Sequence, residues 1–137
     1  ALPLTGVAAR LPPASERPAA PSTVLPSEPW SPAAVESAVV EGRPVLVNFT
    51  ADWCVTCKIN ERTALDAPGV KRAMEQTNAV YLVGDWTRRD DAITAELQRQ
   101  GRSGVPLYLL YRPGQAEPEV LPQLLTEGVV VEALTRR

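Results

Sequence analysis

Residues 45–58 read VLVNFTADWCVTCK, an apolar run followed by two cysteines that are the only ones in the chain. The near-continuous hydrophobicity of Val45–Thr50 predicts a short strand that is buried on both faces. Cys54 and Cys57 follow this strand at the expected start of a helix that extends to about Leu65. Two thiols three residues apart in this context can join in a reversible disulfide. We therefore predict a redox-active pair.

Cys54 is the expected nucleophile of the pair. The unpaired N–H groups and the positive dipole end at the start of a helix favour a thiolate over a thiol. Cys57 can then close on Cys54 to form a disulfide. This disulfide is the only redox centre that we expect, and we predict no further cofactor.

Metal binding is the main rival interpretation of these cysteines. A structural zinc site needs about four donors, usually Cys or His, whereas the chain has two cysteines and no histidine. We therefore predict no zinc site within one chain. Covalent haem attachment needs His after the second cysteine, where this chain has Lys58. A copper(I) site on two thiolates stays open because soft ligands suit that ion, and so does an inert structural disulfide.

Composition narrows the classes of partner. The chain has 137 residues, which suits one domain, and carries 14 basic against 16 acidic residues. No Lys/Arg cluster marks a surface for nucleic acid or anionic lipid, and no apolar run reaches the roughly 20 residues that span a bilayer. Because the chain begins at Ala1 without a signal-peptide pattern, we expect a processed protein or a piece of a longer one.

Proline and alanine dominate residues 1–29. Such a segment cannot bury enough apolar surface to offset the entropy of ordering it. We predict a disordered linker over residues 1–29 and a folded domain over residues 30–137.

The folded domain alternates helix and strand signals. Four strands are expected over residues 45–50, 79–83, 106–111 and 119–124. Helices are expected over residues 32–41, 54–65, 70–76, 90–100 and 126–135. This order predicts an α/β fold with a central mixed four-stranded sheet that is flanked by helices and has an antiparallel edge.

Four segments in order resemble the C-terminal domain of the DsbD-type thiol:disulfide interchange proteins, including their ScsB-like relatives. They are Ala51–Lys58, Gly84–Thr87, Gly104–Tyr111 and Val120–Thr126. The element order and the placement of Trp-Cys-x-x-Cys and Gly-Val-Pro also resemble the thioredoxin fold. The similarity covers residues 30–137.

This resemblance implies a protein-disulfide reductase that is the periplasmic domain of an inner-membrane protein. Electrons would pass from a transmembrane domain of the same protein to this domain, and then to an N-terminal immunoglobulin-like domain or another periplasmic disulfide. The domain would touch the membrane only through its parent protein. A disulfide oxidase or isomerase of the same fold is the alternative, because the direction of exchange depends on reduction potentials and partners.

The resemblance also implies roles for residues around the cysteines. Pro106 matches the cis-proline of the thioredoxin superfamily, and Val105 before it would offer its backbone to a partner strand. Trp53 is expected to pack beside the motif and shape the contact surface, with a core aromatic as the alternative. Asp52 is expected to be exposed, either to tune the local field or to be solvated without a role.

Two polar residues near the cysteines bear on proton handling. Glu61 lies two helical turns after Cys54 and matches an acidic residue that DsbD-type domains keep near the active site. A buried carboxylate there could relay a proton. Asn48 stands where many of these domains have a buried Asp, and an amide cannot exchange a proton at neutral pH. The sequence therefore assigns proton handling to Glu61 or to water.

Overall fold

The structure, a computed structural model, describes residues 25–115 and 117–136. Its strands are β1 Glu28–Pro29, β2 Val45–Thr50, β3 Val80–Asp85, β4 Leu107–Tyr111 and β5 Glu119–Val120. They form one sheet in the order β1-β3-β2-β4-β5. β1, β3 and β2 are parallel to one another, and β4 is antiparallel to both β2 and β5. The predicted mixed sheet with an antiparallel edge is confirmed.

The sheet has one strand more than the four predicted. β1 pairs with β3 through Glu28↔Leu82 and Pro29↔Val83, and Leu25 just before it is buried. Residues 25–29 therefore belong to the packed domain, and the boundary predicted after residue 29 is wrong. The rest of the predicted linker, residues 1–24, lies outside the described residues.

The helices lie close to the positions that the sequence predicts. They are α1 Pro32–Val40, α2 Val55–Asn60, α3 Pro68–Thr77, α4 Asp91–Arg99 and α5 Glu127–Thr135. Side-chain oxygens of Ser31, Asp90 and Thr126 accept hydrogen bonds from the backbone N–H three residues on, and so cap the starts of α1, α4 and α5. Among the described residues, no helix is both long and apolar enough to cross a membrane.

The motif helix differs from the single helix predicted over residues 54–65. α2 ends at Asn60 and continues as one π-helical turn, Glu61–Leu65. The Asp66 N–H donates to the Glu61 carbonyl over 2.9 Å, five residues back. The spacing of the apolar residues does not distinguish this wider turn from an α-helix, so the sequence did not predict it. Such turns are common at functional sites.

The last strand is shorter than predicted. β5 ends at Val120, although the Leu121 N–H still donates to the Tyr108 carbonyl over 2.9 Å. Pro122 follows and has no N–H to donate, so the ladder with β4 ends there.

Two apolar layers cover the sheet. On one face, Leu46, Tyr108 and Leu110 pack with the π-helical turn, α3 and α5. On the other face, Val47, Phe49 and Leu109 pack with α1 and α4. All six residues of β2 are buried, which confirms the strand predicted there. The chain leaves this central strand at Thr50 and reaches the cysteines directly.

Candidate active site

Cys54 and Cys57 are joined in a disulfide, with their Cα atoms 5.3 Å apart. Cys54 keeps 8% of its surface exposed, whereas Cys57 is fully buried. A partner sulfur can therefore reach Cys54 and not Cys57. This difference matches the predicted order, in which Cys54 attacks and Cys57 closes on it.

Cys54 is the N-cap residue of α2. Its Sγ accepts a hydrogen bond from the Cys57 N–H over 3.1 Å, which is the bond that a serine or aspartate cap ordinarily makes. The same N–H would face a Cys54 thiolate once the disulfide is reduced. Hydrogen bonds to an ionised group are stronger than those to a neutral one, so this geometry favours the thiolate.

Val105 lies against the disulfide, and Pro106 follows it in the chain. The peptide bond between them is cis, as the resemblance predicts. Val105 packs against the cluster formed by Ala51, Cys54 and Cys57. The Arg102 guanidinium donates to the Pro106 carbonyl over 3.1 Å, so a side chain at the end of α4 holds this turn.

Trp53 lies at the surface beside the disulfide, with 59% of its area exposed. Its ring centre is 6.2 Å from that of Trp86, and its Nε1–H donates to the Thr87 carbonyl over 3.1 Å. The alternative of a core aromatic is therefore wrong. An exposed indole with a fixed orientation is suited to contact with a partner.

Asp52 is exposed, as expected, and faces Lys58 with an Oδ1 to Nζ distance of 3.8 Å. Its backbone N–H donates to the Thr87 hydroxyl over 2.8 Å. The Thr87 hydroxyl and N–H in turn donate to Asp85. These bonds, the hydroxyl first, lower the pKa of Asp85. The Gly84–Thr87 segment thus fixes the residues just before the cysteines.

Asn48 and Glu61 contact each other through their side chains. The Asn48 amide is buried and donates to Glu61 Oε2 over 3.1 Å and to the Tyr81 hydroxyl over 3.0 Å. Glu61 Oε1 lies 3.3 Å from Lys58 Nζ. Burial raises the pKa of Tyr81, so this phenol stays neutral. Glu61 is therefore held by two N–H donor groups, and its carboxylate is only partly buried, with 23% of the side chain exposed.

Asn60 is a structural anchor of the site that sequence reasoning missed. Its buried amide donates to the Tyr108 hydroxyl over 2.8 Å and to the Gln123 carbonyl over 2.7 Å. Its Oδ1 accepts from the Leu125 N–H over 3.1 Å. The motif helix is thereby tied to the loop after β5. Its position three residues after the buried Cys57, on the same side of the helix, is the signal that could have found it.

Comparison with known proteins places these features in a family. Residues 27–113 match the model of the thioredoxin-like family. The chain is 38% identical over 74 residues to the thiol:disulfide interchange protein DsbD of Cronobacter sakazakii, covering 54% of this chain and 12% of that protein. It is 33% identical over 91 residues to DsbD 1 of Pseudomonas aeruginosa, covering 64% of this chain and 15% of that protein. The chain therefore spans less than a sixth of the length of these relatives.

A solved structure also matches the whole domain. The oxidised C-terminal domain of Neisseria meningitidis DsbD superposes with a TM-score of 0.57 at 25% identity, covering 78% of this chain and 96% of that one. The similarity therefore extends from the sequence around the cysteines to the arrangement of the elements.

Proposed function

The chain belongs to the thioredoxin-like family, and from this membership we propose that it is a thiol:disulfide oxidoreductase acting through Cys54 and Cys57. The observation that carries the proposal is the asymmetry of the pair. One sulfur is reachable at the start of α2, and the other is buried behind it within bonding distance. Dithiol exchange requires this arrangement, because one sulfur must meet the partner and the other must resolve the mixed disulfide.

In the reductive direction the Cys54 thiolate attacks one sulfur of a partner disulfide. A bond forms between Cys54 and that sulfur, and the partner's other sulfur leaves as a thiolate that takes up a proton. Cys57 then loses its proton and attacks Cys54. The Cys54–Cys57 disulfide forms, the second partner sulfur leaves, and the partner has gained the two electrons that the pair has lost.

We infer that this exchange is one step in an electron relay of the DsbD type. The support is the similarity to proteins named thiol:disulfide interchange protein DsbD. In this proposal a transmembrane domain of the same protein reduces the pair. The pair then reduces disulfides of periplasmic proteins, such as an immunoglobulin-like domain. The domain acts as a protein-disulfide reductase in the periplasm and needs no cofactor beyond its own disulfide.

The residues around the cysteines serve the encounter with the partner. We propose that the Val105 backbone pairs with an extended segment of the partner, and that Trp53 packs against that segment. Val105 contacts the disulfide cluster, and Trp53 is exposed and oriented by Thr87. An extended segment paired with the Val105 backbone would place the partner sulfur beside Cys54.

Trapping of a mixed disulfide tests the proposal. The Cys57→Ala protein, reduced and mixed with a periplasmic extract, should accumulate complexes that a reductant dissolves. The Cys54→Ala protein is the matched control and should form none. Equal trapping by both variants, or by neither, would overturn the assignment of the nucleophile.

The direction of exchange is tested by equilibration with glutathione. A reductase should have a potential well below that of strong oxidants such as the roughly −120 mV of an oxidase, and a value near that figure would favour the oxidase alternative. Tight stoichiometric binding of copper(I) that blocks exchange would favour the copper alternative instead.

A further inference from the structure

A cavity of about 290 Å³ is lined mostly by polar residues, among them Asp52 and Lys58, which flank the two cysteines in the chain. Its floor lies at the ends of β2 and β3, and its walls come from α2, the π-helical turn and the segment before β1. Since a water molecule occupies roughly 30 Å³ in the liquid, the cavity has room for a side-chain head group. Its polar lining includes Asn48, Thr50, Asp52, Lys58, Glu61, Asp66 and Asp85.

Two residues that line this cavity carry buried oxygens without a partner. Asn48 and Thr50 have 1% and 5% of their surface exposed. Among the described residues, neither Asn48 Oδ1 nor Thr50 Oγ1 has a hydrogen-bond partner. The Asn48 amide nitrogen is already committed to Glu61 and Tyr81, so Asn48 offers the cavity only an acceptor. A buried acceptor without a donor costs free energy, so the floor of the cavity favours a ligand rich in N–H groups.

The net negative charge of the cavity also favours a cationic ligand. Four carboxylates line it, from Asp52, Glu61, Asp66 and Asp85, against the single ammonium of Lys58. Lys58 faces the outer side, where it contacts Asp52 and Glu61 with 39% of its side chain exposed. The hydrogen bonds from Thr87 lower the pKa of Asp85, so that carboxylate remains ionised at neutral pH.

The position of the cavity links it to exchange. Asp52 lies two residues before Cys54, and Lys58 directly follows Cys57. A partner bound at the disulfide would therefore lie close to two residues of the cavity lining.

We propose that this cavity binds a basic side chain of the protein partner, an arginine above all, next to the disulfide that the pair exchanges. The inference rests on the proposed function and adds the chemistry by which a partner is selected. A guanidinium has five N–H donors and no acceptor. It would supply the donors that Asn48 Oδ1 and Thr50 Oγ1 lack while it lies among the carboxylates.

Paired peptide substrates test this selection. Each peptide carries one intramolecular disulfide, and the two members of a pair differ only in a residue flanking the cysteines, which is arginine or its neutral isostere citrulline. The flanking position is varied over both sides of the disulfide. For the wild-type protein at low salt we expect kcat/KM to be about tenfold higher with arginine at one of these positions, as charge-assisted hydrogen bonds suggest.

Two variants locate the preference in the cavity. Thr50→Val removes an acceptor without changing charge, and Asp85→Asn removes a charge while keeping the oxygen that Thr87 contacts. Both should lower the arginine preference to about twofold or less, because each removes one of the contacts that favour the guanidinium. Thr50→Val should exchange with the citrulline peptide at the wild-type rate, which also shows that it is folded. Because Asp85 holds Thr87, the Asp85→Asn variant is judged only by the ratio of its rates with the arginine and citrulline peptides. Glu132→Gln is the matched control, since it removes an exposed carboxylate on α5 and should leave the preference unchanged.

The outcomes separate the two proposals. Equal rates with arginine and citrulline at every position would overturn the cavity assignment, and the cavity would then hold water only. The proposal of thiol exchange would be unaffected by this result. A preference that persists in both cavity variants would likewise overturn the cavity assignment. Exchange with neither peptide would overturn the proposed function, and this inference with it.

Discussion

The side-chain amide of Asn48 donates to the Glu61 carboxylate over 3.1 Å, from the central strand to the first residue of the π-helical turn. An amide can make this bond because it carries two N–H groups, and the second goes to Tyr81. A carboxylate at the same place has no N–H to offer. The identity of residue 48 therefore decides whether Glu61 faces a donor or a second acid.

The Asn48→Asp variant should lose stability as the pH rises. The introduced carboxyl group lies against Glu61, so its pKa in the folded state is raised above the unfolded value of about 4. A carboxyl group whose pKa is raised in the folded state contributes stability at low pH, while it is protonated. This contribution is lost as the pH rises through the raised pKa. We expect a loss of about 2–3 kcal/mol at pH 8 and a smaller loss at pH 5.

Urea unfolding of the oxidised protein at the two pH values measures this difference. The Asn48→Ala variant is the control, because it loses the same donor without adding an acid. Its loss should be the same at both pH values. A pH-independent loss in both variants would contradict the account.

Asn60 should be important for stability, although it does not touch the disulfide. Replacement by Ala leaves the buried Leu125 N–H and the Gln123 carbonyl without their partner. We expect the free energy of unfolding to fall by about 3 kcal/mol. Thr63→Ala, an exposed change in the same helical region, should alter it by less than about 0.5 kcal/mol. Chemical denaturation of both variants gives the comparison, and equal losses would refute the anchoring role.

The central strand and the reactive pair were predictable because each has a strong local signal. Val45–Thr50 is buried on both faces, so its sequence is almost uninterrupted in hydrophobicity. The two cysteines follow it directly in the sequence. Both features depend on residues that are close together in the sequence, so the sequence alone is enough to predict them.

β1 could not be found in the same way. Glu28 and Pro29 both expose their side chains, and the strand is held through backbone pairing with β3. No alternation marks such a strand, and Leu25 belongs to a pair of apolar residues, Val24-Leu25, in a proline-rich stretch. The residues that line the cavity could not be predicted from the sequence either, because Thr50 and Asp85 become neighbours only when β2 and β3 pair.

Gly84 marks a close approach inside the sheet and should not tolerate a side chain. A Cβ at this position would lie 2.6 Å from Cδ1 of Phe49. Gly84→Ala should therefore lower the free energy of unfolding by about 2 kcal/mol through overpacking. Gly128→Ala is the matched control, since nothing lies within 4 Å of its Cβ position in α5, and alanine favours helix.

A second substitution tests whether the clash with Phe49 causes the loss of stability. Phe49→Leu removes the clashing ring edge, so the double variant should be more stable than the sum of the two single changes predicts. Thermal or urea unfolding of the four proteins completes the cycle. Strict additivity would show that the contact with Phe49 is not the cause.

Tyr108 should make the fold sensitive to alkaline pH. Burial raises the pKa of Tyr108 to about 12, whereas an unfolded tyrosine ionises near 10. Between these values the unfolded chain releases a proton that the folded protein keeps. The stabilisation is complete below pH 10 and is lost as the pH rises toward 12, with a slope of up to about 1.4 kcal/mol per pH unit for this group.

Tyr108→Phe isolates this contribution. The variant loses the hydrogen bond from Asn60 and should be about 1 kcal/mol less stable at pH 7, yet its stability should fall less steeply above pH 10. Urea unfolding at pH 7, 10 and 11, together with tyrosinate absorbance, measures both effects. Tyr81 and Tyr111 also have raised pKa values, so part of the alkaline slope should remain. An unchanged slope would mean that Tyr108 ionises at the same pH in the folded and unfolded states, and that its burial does not resist the charge.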